Sequence, residues 1–227
     1  MGQRILRFLA RLLLPIMARV EIYGFDNIPA SLMKAGFIFA PNHLGRLDTA
    51  LLYYALDRDD LIMAVAEKYQ NYFITRLLVR MMNGFFINRY EADARAVREI
   101  LRRLQKGDYL AMAPEGTRSK TGGLQEGRLG VAFFASRAGV PVIPVGVTGT
   151  EDRVIIDNLR HFRRGHITVT VGKPFILAPV RGPNREEKLK EYTEDIMCRI
   201  AALLPESYRG VYADHPLLKQ YLAEQHA

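Results

Sequence analysis

The chain alternates short apolar runs with longer segments in which apolar residues recur at helical spacing. Seven of the apolar runs predict β-strands, because runs of roughly four to eight apolar, β-branched or aromatic residues are typical of buried strands. In chain order they are VEIYGF, GFIFA, LIMAVA, GFFI, DYLAMA, VPVIPVGV and HITVTVG.

Two segments between these runs have the clearest helical period. Residues 91–106 are predicted to form a helix that Gly107 ends, and residues 184–204 are predicted to form another that ends before Pro205. The apolar side of the first contains Ala92, Ala96, Val97, Ile100, Leu101 and Leu104. Strands that alternate with helices in this way predict a single α/β domain with a mostly parallel central sheet flanked by helices.

The N-terminal segment is strongly amphipathic. Arg4, Arg7 and Arg11 share one helical face. The opposite face contains Leu6, Leu9, Leu13 and Ile16. A helix over residues 4–18 would be about 22 Å long, too short for the ~30 Å hydrocarbon layer of a bilayer. We therefore predict that residues 1–19 form a helix lying in a membrane interface, ahead of the α/β domain at 20–227. A first helix packed on the core is the alternative.

A second amphipathic segment is EKYQNYFITRLLVRMMNGFF. Its apolar band consists of Phe73, Ile74, Leu77, Leu78 and Met81. Core packing and membrane contact both account for this band, so the sequence leaves the two interpretations open.

Charge and cysteine content narrow the class of protein. A net charge of +8 with a pI of about 9.7 favours nucleic acid, an anionic membrane or an acidic protein as partner. No nucleic-acid-binding motif accompanies the charge, so we do not expect nucleic acid. Cys198 is the single cysteine, which excludes an internal disulfide.

Two of the predicted strands run into loops rich in reactive side chains, where open α/β sheets bind ligands. GFIFA is followed by PNHLGRLD. On one continuous helix His43 and Asp48 would lie about 140° apart and could not meet. If Gly45 permits a tight turn and Asp48 starts a helix, the carboxylate can fold back onto the imidazole, and the other ring nitrogen can take a proton from a hydroxyl.

The second loop, PEGTRS, follows DYLAMA and suits an anionic ligand. Arg118 offers a planar fork that matches phosphate oxygens, Gly116 permits close backbone approach, and Thr117 and Ser119 add hydroxyl donors. Glu115 can accept a hydrogen bond from a substrate hydroxyl or hold a nearby arginine. No serine or cysteine lies in a nucleophile elbow, which favours direct transfer to a bound alcohol.

Four blocks in order resemble the glycerolipid acyltransferase family typified by 1-acylglycerol-3-phosphate (lysophosphatidic acid) acyltransferases. NHLGRLD resembles the family's His-x4-Asp block, GFFINR the second, PEGTRS the third and VPVIPV the fourth, over residues 41–145. The chain departs from many relatives at Gly45, where they carry Ser, and in LQEGRLG, where Arg128 stands near the place of their lysine.

The resemblance implies an activity and a set of roles. His43 would be the general base and Asp48 would orient it, so that the sn-2 hydroxyl of lysophosphatidic acid attacks a fatty acyl thioester and phosphatidic acid forms. The donor would be acyl-CoA or an acidic acyl-carrier protein, with no cofactor and no metal. The residues expected to hold the acceptor's glycerol phosphate are Arg89, Glu115, Gly116, Thr117 and Arg118.

The expected location is the cytoplasmic face of a membrane, as a peripheral or monotopic protein at an anionic surface. Other acceptors stay open, namely glycerol 3-phosphate, another lysophospholipid, a lyso-ornithine lipid or a glycolipid. A non-catalytic protein that binds membrane surfaces is the alternative from another class. His43, Asp48 and Glu115 form a poor ligand set for zinc, so we expect no metal enzyme.

Overall fold

The computed structural model describes residues 2–87 and 93–225. Within these ranges the helices and strands, in chain order, are α1 (Gly2–Met17), β1 (Ala18–Tyr23), β2 (Ile38–Pro41), α2 (Asp48–Ala55), β3 (Leu61–Ile62), β4 (Ala64–Ala66), α3 (Phe73–Met81), β5 (Phe85–Ile87), α4 (Ala94–Gln105), β6 (Tyr109–Ala111), α5 (Gly130–Ala138), β7 (Val142–Thr148), α6 (Asp152–Arg160), β8 (Gly165–Val171), α7 (Arg185–Ala202) and α8 (Pro216–Gln225).

The central sheet has the strand order β1-β8-β7-β2-β6-β3. Every neighbouring pair is parallel except β7 and β8, which are antiparallel. The predicted α/β class with a mostly parallel sheet is confirmed. One predicted strand is divided, because the first half of LIMAVA pairs with β6 as β3 while the second half pairs with β5 as β4 in a separate two-stranded sheet.

The sheet is buried on both faces, as parallel sheets usually are. Along β2, Ile38 and Ala40 belong to the core that α4, α5, α7 and α8 cover, whereas Phe39 belongs to the core beneath α1 and α2. Because side chains alternate along a strand, a continuous apolar run such as GFIFA supplies both cores. This burial holds the carboxyl end of β2 firmly in place.

α1 packs on the protein through Gln3, Ala10 and Leu14, which are buried, and its arginines make ion pairs along the edge of this contact. Arg4 Nε lies 2.6 Å from Asp59 and Arg7 Nη2 lies 2.7 Å from the same carboxylate, in the turn after α2. The opposite side of the helix is apolar and open, with Phe8 66% exposed. The arginines are therefore used for docking the helix to its own domain, and the outward face is hydrophobic.

α3 exposes the apolar band that the sequence left with two interpretations. Phe73 is 72% exposed, and Ile74 and Leu77 are also exposed, whereas Val79 on the opposite side is buried. Core packing therefore does not account for the band. α1 and α3 adjoin, since the Gln3 amide donates to the carbonyl of Met82 just after α3, at 2.6 Å.

No helix within the described ranges combines the length and the apolar content that crossing a bilayer requires.

Candidate active site

The candidate site lies where β2, β6 and β7 end. These three strands are adjacent and mutually parallel, so their carboxyl ends meet at one edge of the sheet. The loop over 42–47 follows β2, the loop that includes 114–119 follows β6, and the short connection 149–151 leads from β7 into α6. The sequence predicted reactive side chains in the first two loops, and the structure adds the third loop beside them.

His43 and Asp48 meet as the sequence predicted. His43 lies in the loop after β2, α2 begins at Asp48, and His43 Nδ1 is 2.7 Å from Asp48 Oδ2. The same oxygen accepts hydrogen bonds from the backbone N–H groups of Leu44 at 2.8 Å and Gly45 at 3.1 Å. The carboxylate is nearly buried and the imidazole is 31% exposed, and Nε2 has no hydrogen-bond partner among the described residues.

The backbone of this loop is fixed on both sides. The buried side chain of Asn42 extends the sheet ladder, since its amide donates to the Val147 carbonyl at 2.8 Å and its oxygen accepts from the Val147 N–H at 2.7 Å. The His43 carbonyl accepts from the Ser119 N–H at 2.7 Å. The imidazole is thus carried by a loop whose position depends on β7 and on PEGTRS.

Glu115 is a buried link between loops. Its Oε1 accepts from the His43 N–H at 2.9 Å and its Oε2 accepts from the Gln125 N–H at 3.0 Å. Burial raises the pKa of Glu115, and these backbone hydrogen bonds oppose the rise. The side chain was expected to hold the acceptor or an arginine, whereas both of its oxygens bind the protein's own backbone.

Arg118 lies beside an acidic residue that the sequence analysis missed. Arg118 Nη1 donates to Asp152 Oδ2 at 2.8 Å, and Asp152 Oδ1 accepts from the Arg46 N–H at 2.8 Å. Asp152 is the first residue of α6, where a carboxylate is favoured by the helix dipole. Nothing in the spacing of Asp152 from either block signals this contact, which depends on how β7 ends beside β2.

The structure shows why glycine stands at two positions of the site. Gly45 lies against the carbonyl of Thr150, so closely that a Cβ there would overlap the oxygen. The requirement at Gly45 is therefore close approach between loops, whereas we predicted a tight turn. Gly116 has a positive φ of 70°, and a Cβ there would lie 2.8 Å from Cδ of Arg128. Arg128 therefore packs directly on the PEGTRS loop.

The remaining predicted residues have varied positions. Thr117 is exposed on the same loop, and the Ser119 hydroxyl donates to the Gly123 carbonyl at 2.6 Å. Arg89 lies outside the described residues. In the VPVIPV stretch, residues 142–145 form the start of β7 and are buried, as expected for a core strand beside the site. In the part of the chain that the structure describes, no group of three or more His, Cys, Asp or Glu side chains has a metal-binding arrangement.

An apolar cavity with a free volume of about 50 Å³ adjoins Asp48. It lies between α2 and the sheet, and its walls include Phe39, Leu51, Val147 and Val171. Asp48 Oδ1 is buried without a hydrogen-bond partner among the described residues. The dyad therefore adjoins an apolar space on one side and the polar loops on the other.

Comparison with known proteins gives matches over most of the chain. A family model described as acyltransferase matches residues 19–148, more than half of the chain. The 1-acyl-sn-glycerol-3-phosphate acyltransferase of Cocos nucifera is 29% identical over 176 residues, covering 76% of this chain and 55% of that protein. The enzyme of the same description from Borreliella burgdorferi is 24% identical over 136 residues, covering 59% and 53%. The chain thus spans about half the length of the curated relatives it matches.

A solved structure shares the fold. The 1-acyl-sn-glycerophosphate (LPA) acyltransferase from Thermotoga maritima superposes with a TM-score of 0.64 at 24% sequence identity. The match covers 86% of this chain and 76% of that one. At this identity the likeness establishes the architecture alone.

Proposed function

Because the chain belongs to the acyltransferase family, we propose that it transfers a fatty acyl group from a thioester to the sn-2 hydroxyl of lysophosphatidic acid, forming phosphatidic acid. The observation that carries the proposal is the contact between His43 and Asp48, which leaves the second ring nitrogen of His43 without a partner among the described residues. The loop that carries Arg118 is held beside this contact, because the Ser119 N–H donates to the His43 carbonyl. The base can take the proton of the acceptor hydroxyl, and the cationic loop can bind the phosphate next to that hydroxyl.

The proton transfers follow from this contact. Nδ1–H of His43 donates to Asp48, so Nε2 has the lone pair that takes the proton of the acceptor hydroxyl. The hydroxyl oxygen attacks the thioester carbonyl carbon, the tetrahedral adduct collapses, and the C–S bond breaks. The imidazolium then returns its proton to the departing thiolate, which releases a neutral thiol and restores the dyad to its starting state, a neutral imidazole beside a carboxylate.

Direct attack by the acceptor is favoured over an acyl-enzyme. Cys198 is buried in α7, and burial raises the pKa of its thiol to about 12. A thiol with that pKa contains almost no thiolate at neutral pH, so it is a poor nucleophile. The single cysteine is therefore unsuited to covalent catalysis.

The apolar cavity beside Asp48 is our proposed position for a substrate acyl chain. Its lining is apolar apart from the dyad's own carboxylate, and it opens next to the reacting groups. A free volume of about 50 Å³ is far less than a fatty chain requires, so the cavity has to widen when a chain enters. The donor's carrier would be coenzyme A or an acidic carrier protein, and a net charge of +8 suits either.

Association with the cytoplasmic face of a membrane, in a peripheral or monotopic manner, is part of the proposal. The outward face of α1 and the band on α3 are two exposed apolar helix faces that adjoin through Gln3. Apolar faces of this kind insert at the boundary of headgroups and acyl chains. Arg76 and Arg80 on α3 have no acidic partner among the described residues, so they are available to anionic headgroups.

The test is a matrix of donors and acceptors with the purified protein in mixed micelles. The donors are acyl-CoA and acyl-carrier protein, and the acceptors are lysophosphatidic acid, another lysophospholipid, monoacylglycerol and glycerol 3-phosphate. We expect the highest kcat/KM with lysophosphatidic acid. Preference for any other acceptor would overturn the assigned substrate.

A non-catalytic membrane-binding protein is the second candidate, and the exposed faces of α1 and α3 are the observation that favours it. It predicts vesicle binding without acyl transfer from either donor to any of the four acceptors. Turnover above the uncatalysed rate with any pair excludes it.

A further inference from the structure

Arg46 lies three residues after His43, and the contacts of this side chain distinguish it from an ordinary surface arginine. We infer that Arg46 is a further ligand of the acceptor phosphate, and that Asp152 is a positioning residue that holds Arg46 and Arg118 beside each other. The inference rests on the proposed function, because it specifies which side chains select a phosphate-bearing acceptor.

The two arginines share one carboxylate. Arg118 Nη1 is 2.8 Å from Asp152 Oδ2, and Arg46 Nη1 is 3.5 Å from the same oxygen. Asp152 Oδ1 also fixes the Arg46 backbone through its N–H at 2.8 Å. A single side chain at the start of α6 therefore sets the separation of two guanidinium groups that belong to different loops.

Both guanidinium groups keep donors for a ligand. Arg46 is 75% exposed and its only ionic contact within the described residues is the long one to Asp152. Arg118 makes a single hydrogen bond there, although a guanidinium has five N–H donors. Two arginines and one aspartate give the cluster a net charge of +1, which suits a phosphomonoester carrying about −1.5 to −2 at neutral pH.

The cluster also lies at the right place for the reaction. In lysophosphatidic acid the sn-2 hydroxyl and the phosphate are on adjacent carbons, so the phosphate has to bind next to the base. Arg46 is on the loop that carries His43, and the residue after Arg118 donates its N–H to the His43 carbonyl at 2.7 Å. Gly45 allows this loop to lie against Thr150, which brings Arg46 onto Asp152.

Steady-state kinetics of the purified full chain with lysophosphatidic acid and acyl-CoA test the inference. For Arg46→Met we expect KM for lysophosphatidic acid to rise about tenfold or more, as for loss of a hydrogen bond to a charged group, with kcat within about twofold. Arg46→Lys keeps the positive charge but loses the forked guanidinium group, so its KM should lie between those of the wild type and Arg46→Met. Arg160→Met, at the exposed far end of α6, removes the same charge and should leave KM unchanged.

Asp152→Asn distinguishes a positioning role of Asp152 from a simple effect of its negative charge, because the two predict opposite changes in KM. The substitution removes a negative charge near the phosphate, so electrostatics alone would lower KM. It also replaces one of two acceptor oxygens by an NH₂ group, which breaks either the Arg118 contact or the Arg46 backbone contact. Our inference predicts that KM rises.

Three outcomes are decisive. If the wild-type chain does not acylate lysophosphatidic acid, the proposed function and this inference both fail. If the wild type is active but Arg46→Met matches Arg160→Met in KM, Arg46 is not a phosphate ligand and only the inference fails. If Asp152→Asn lowers KM, Asp152 opposes phosphate binding and its positioning role is wrong.

Discussion

Replacing Asp48 by Asn tests how much of the catalytic power depends on the carboxylate. Asp48 Oδ2 accepts three hydrogen bonds, from His43 Nδ1 and from the N–H groups of Leu44 and Gly45. The amide oxygen of Asn can take that place and preserve the three contacts. The amide NH₂ then occupies the position of Oδ1, which is buried without a partner among the described residues.

The magnitude follows from the separation of the two groups. At the 2.7 Å distance between Nδ1 and Oδ2, an imidazolium and a carboxylate attract by about 6 kcal/mol at an effective dielectric constant of about 20. Solvent screens part of this because the His43 side chain is 31% exposed, and we take about 3–5 kcal/mol as the remaining effect on the transition state. The kcat should therefore fall by about 10²–10⁴, with KM nearly unchanged.

The assay compares kcat and KM for lysophosphatidic acid in wild type, Asp48→Asn and a matched control. Asp157→Asn is that control, since Asp157 forms an exposed pair with His161 at 3.6 Å and the substitution is chemically identical. Thermal unfolding establishes that each variant is folded. A folded Asp48→Asn protein whose kcat is within about fivefold of wild type would refute the role of the carboxylate.

Three further predictions concern the loops and the membrane face. Glu115→Gln places an NH₂ group against the N–H of His43 or Gln125, so unfolding free energy should fall by about 1–3 kcal/mol. Because burial raises the pKa of Glu115 in the folded state, its favourable contribution is greatest below the ordinary glutamate pKa and is lost as pH rises through the folded value. The loss on substitution should thus be larger at pH 4 than at pH 7 in urea titrations. Gly45→Ser forces the loop away from Thr150 and should lower both kcat and unfolding free energy, the latter by about 1–3 kcal/mol. Phe8→Ser should weaken partition into anionic vesicles about tenfold in sedimentation assays, with the fold intact.

Each of these predictions has a control and a contrary result. For Glu115 the comparison is Glu126→Gln on the following loop, and equal stability of the two variants would show that the buried link is unimportant. A fully active Gly45→Ser protein would show that the approach to Thr150 is not required. For Phe8 the comparison is Val211→Ser, also exposed, and equal partition of the two variants would show that α1 is not the docking face.

Local patterns of apolar residues in the sequence were sufficient to predict most of the strands and the two clearest helices. The seven apolar runs all contain strand residues, and the helices predicted over 91–106 and 184–204 correspond to α4 and α7. The run LIMAVA did not reveal its division, because β3 and β4 pair with different strands and pairing partners are distant in sequence. For α1 the sequence predicted an amphipathic helix but not the ion pairs of Arg4 and Arg7, since these depend on Asp59 in a later turn.

In the candidate site, too, some contacts were predictable from the sequence and others were not. The contact of His43 with Asp48 was predictable because both residues lie within one loop and the first turn of one helix. Asp152 was not, because its contacts with Arg46 and Arg118 arise only when β7 lies beside β2. Glu115 was recognised as part of a block, but its hydrogen bonds to backbone groups depend on the path of two other loops.

The most direct test of His43 as the catalytic base is the acyl-transfer rate of a His43→Ala protein in mixed micelles with a fatty acyl thioester and lysophosphatidic acid. His161→Ala removes an exposed histidine from the end of α6 and is the matched control. We predict that kcat for His43→Ala falls by at least about 10³ while the protein stays folded and His161→Ala retains wild-type turnover. Wild-type turnover by a folded His43→Ala protein would contradict the assignment of His43 as the base.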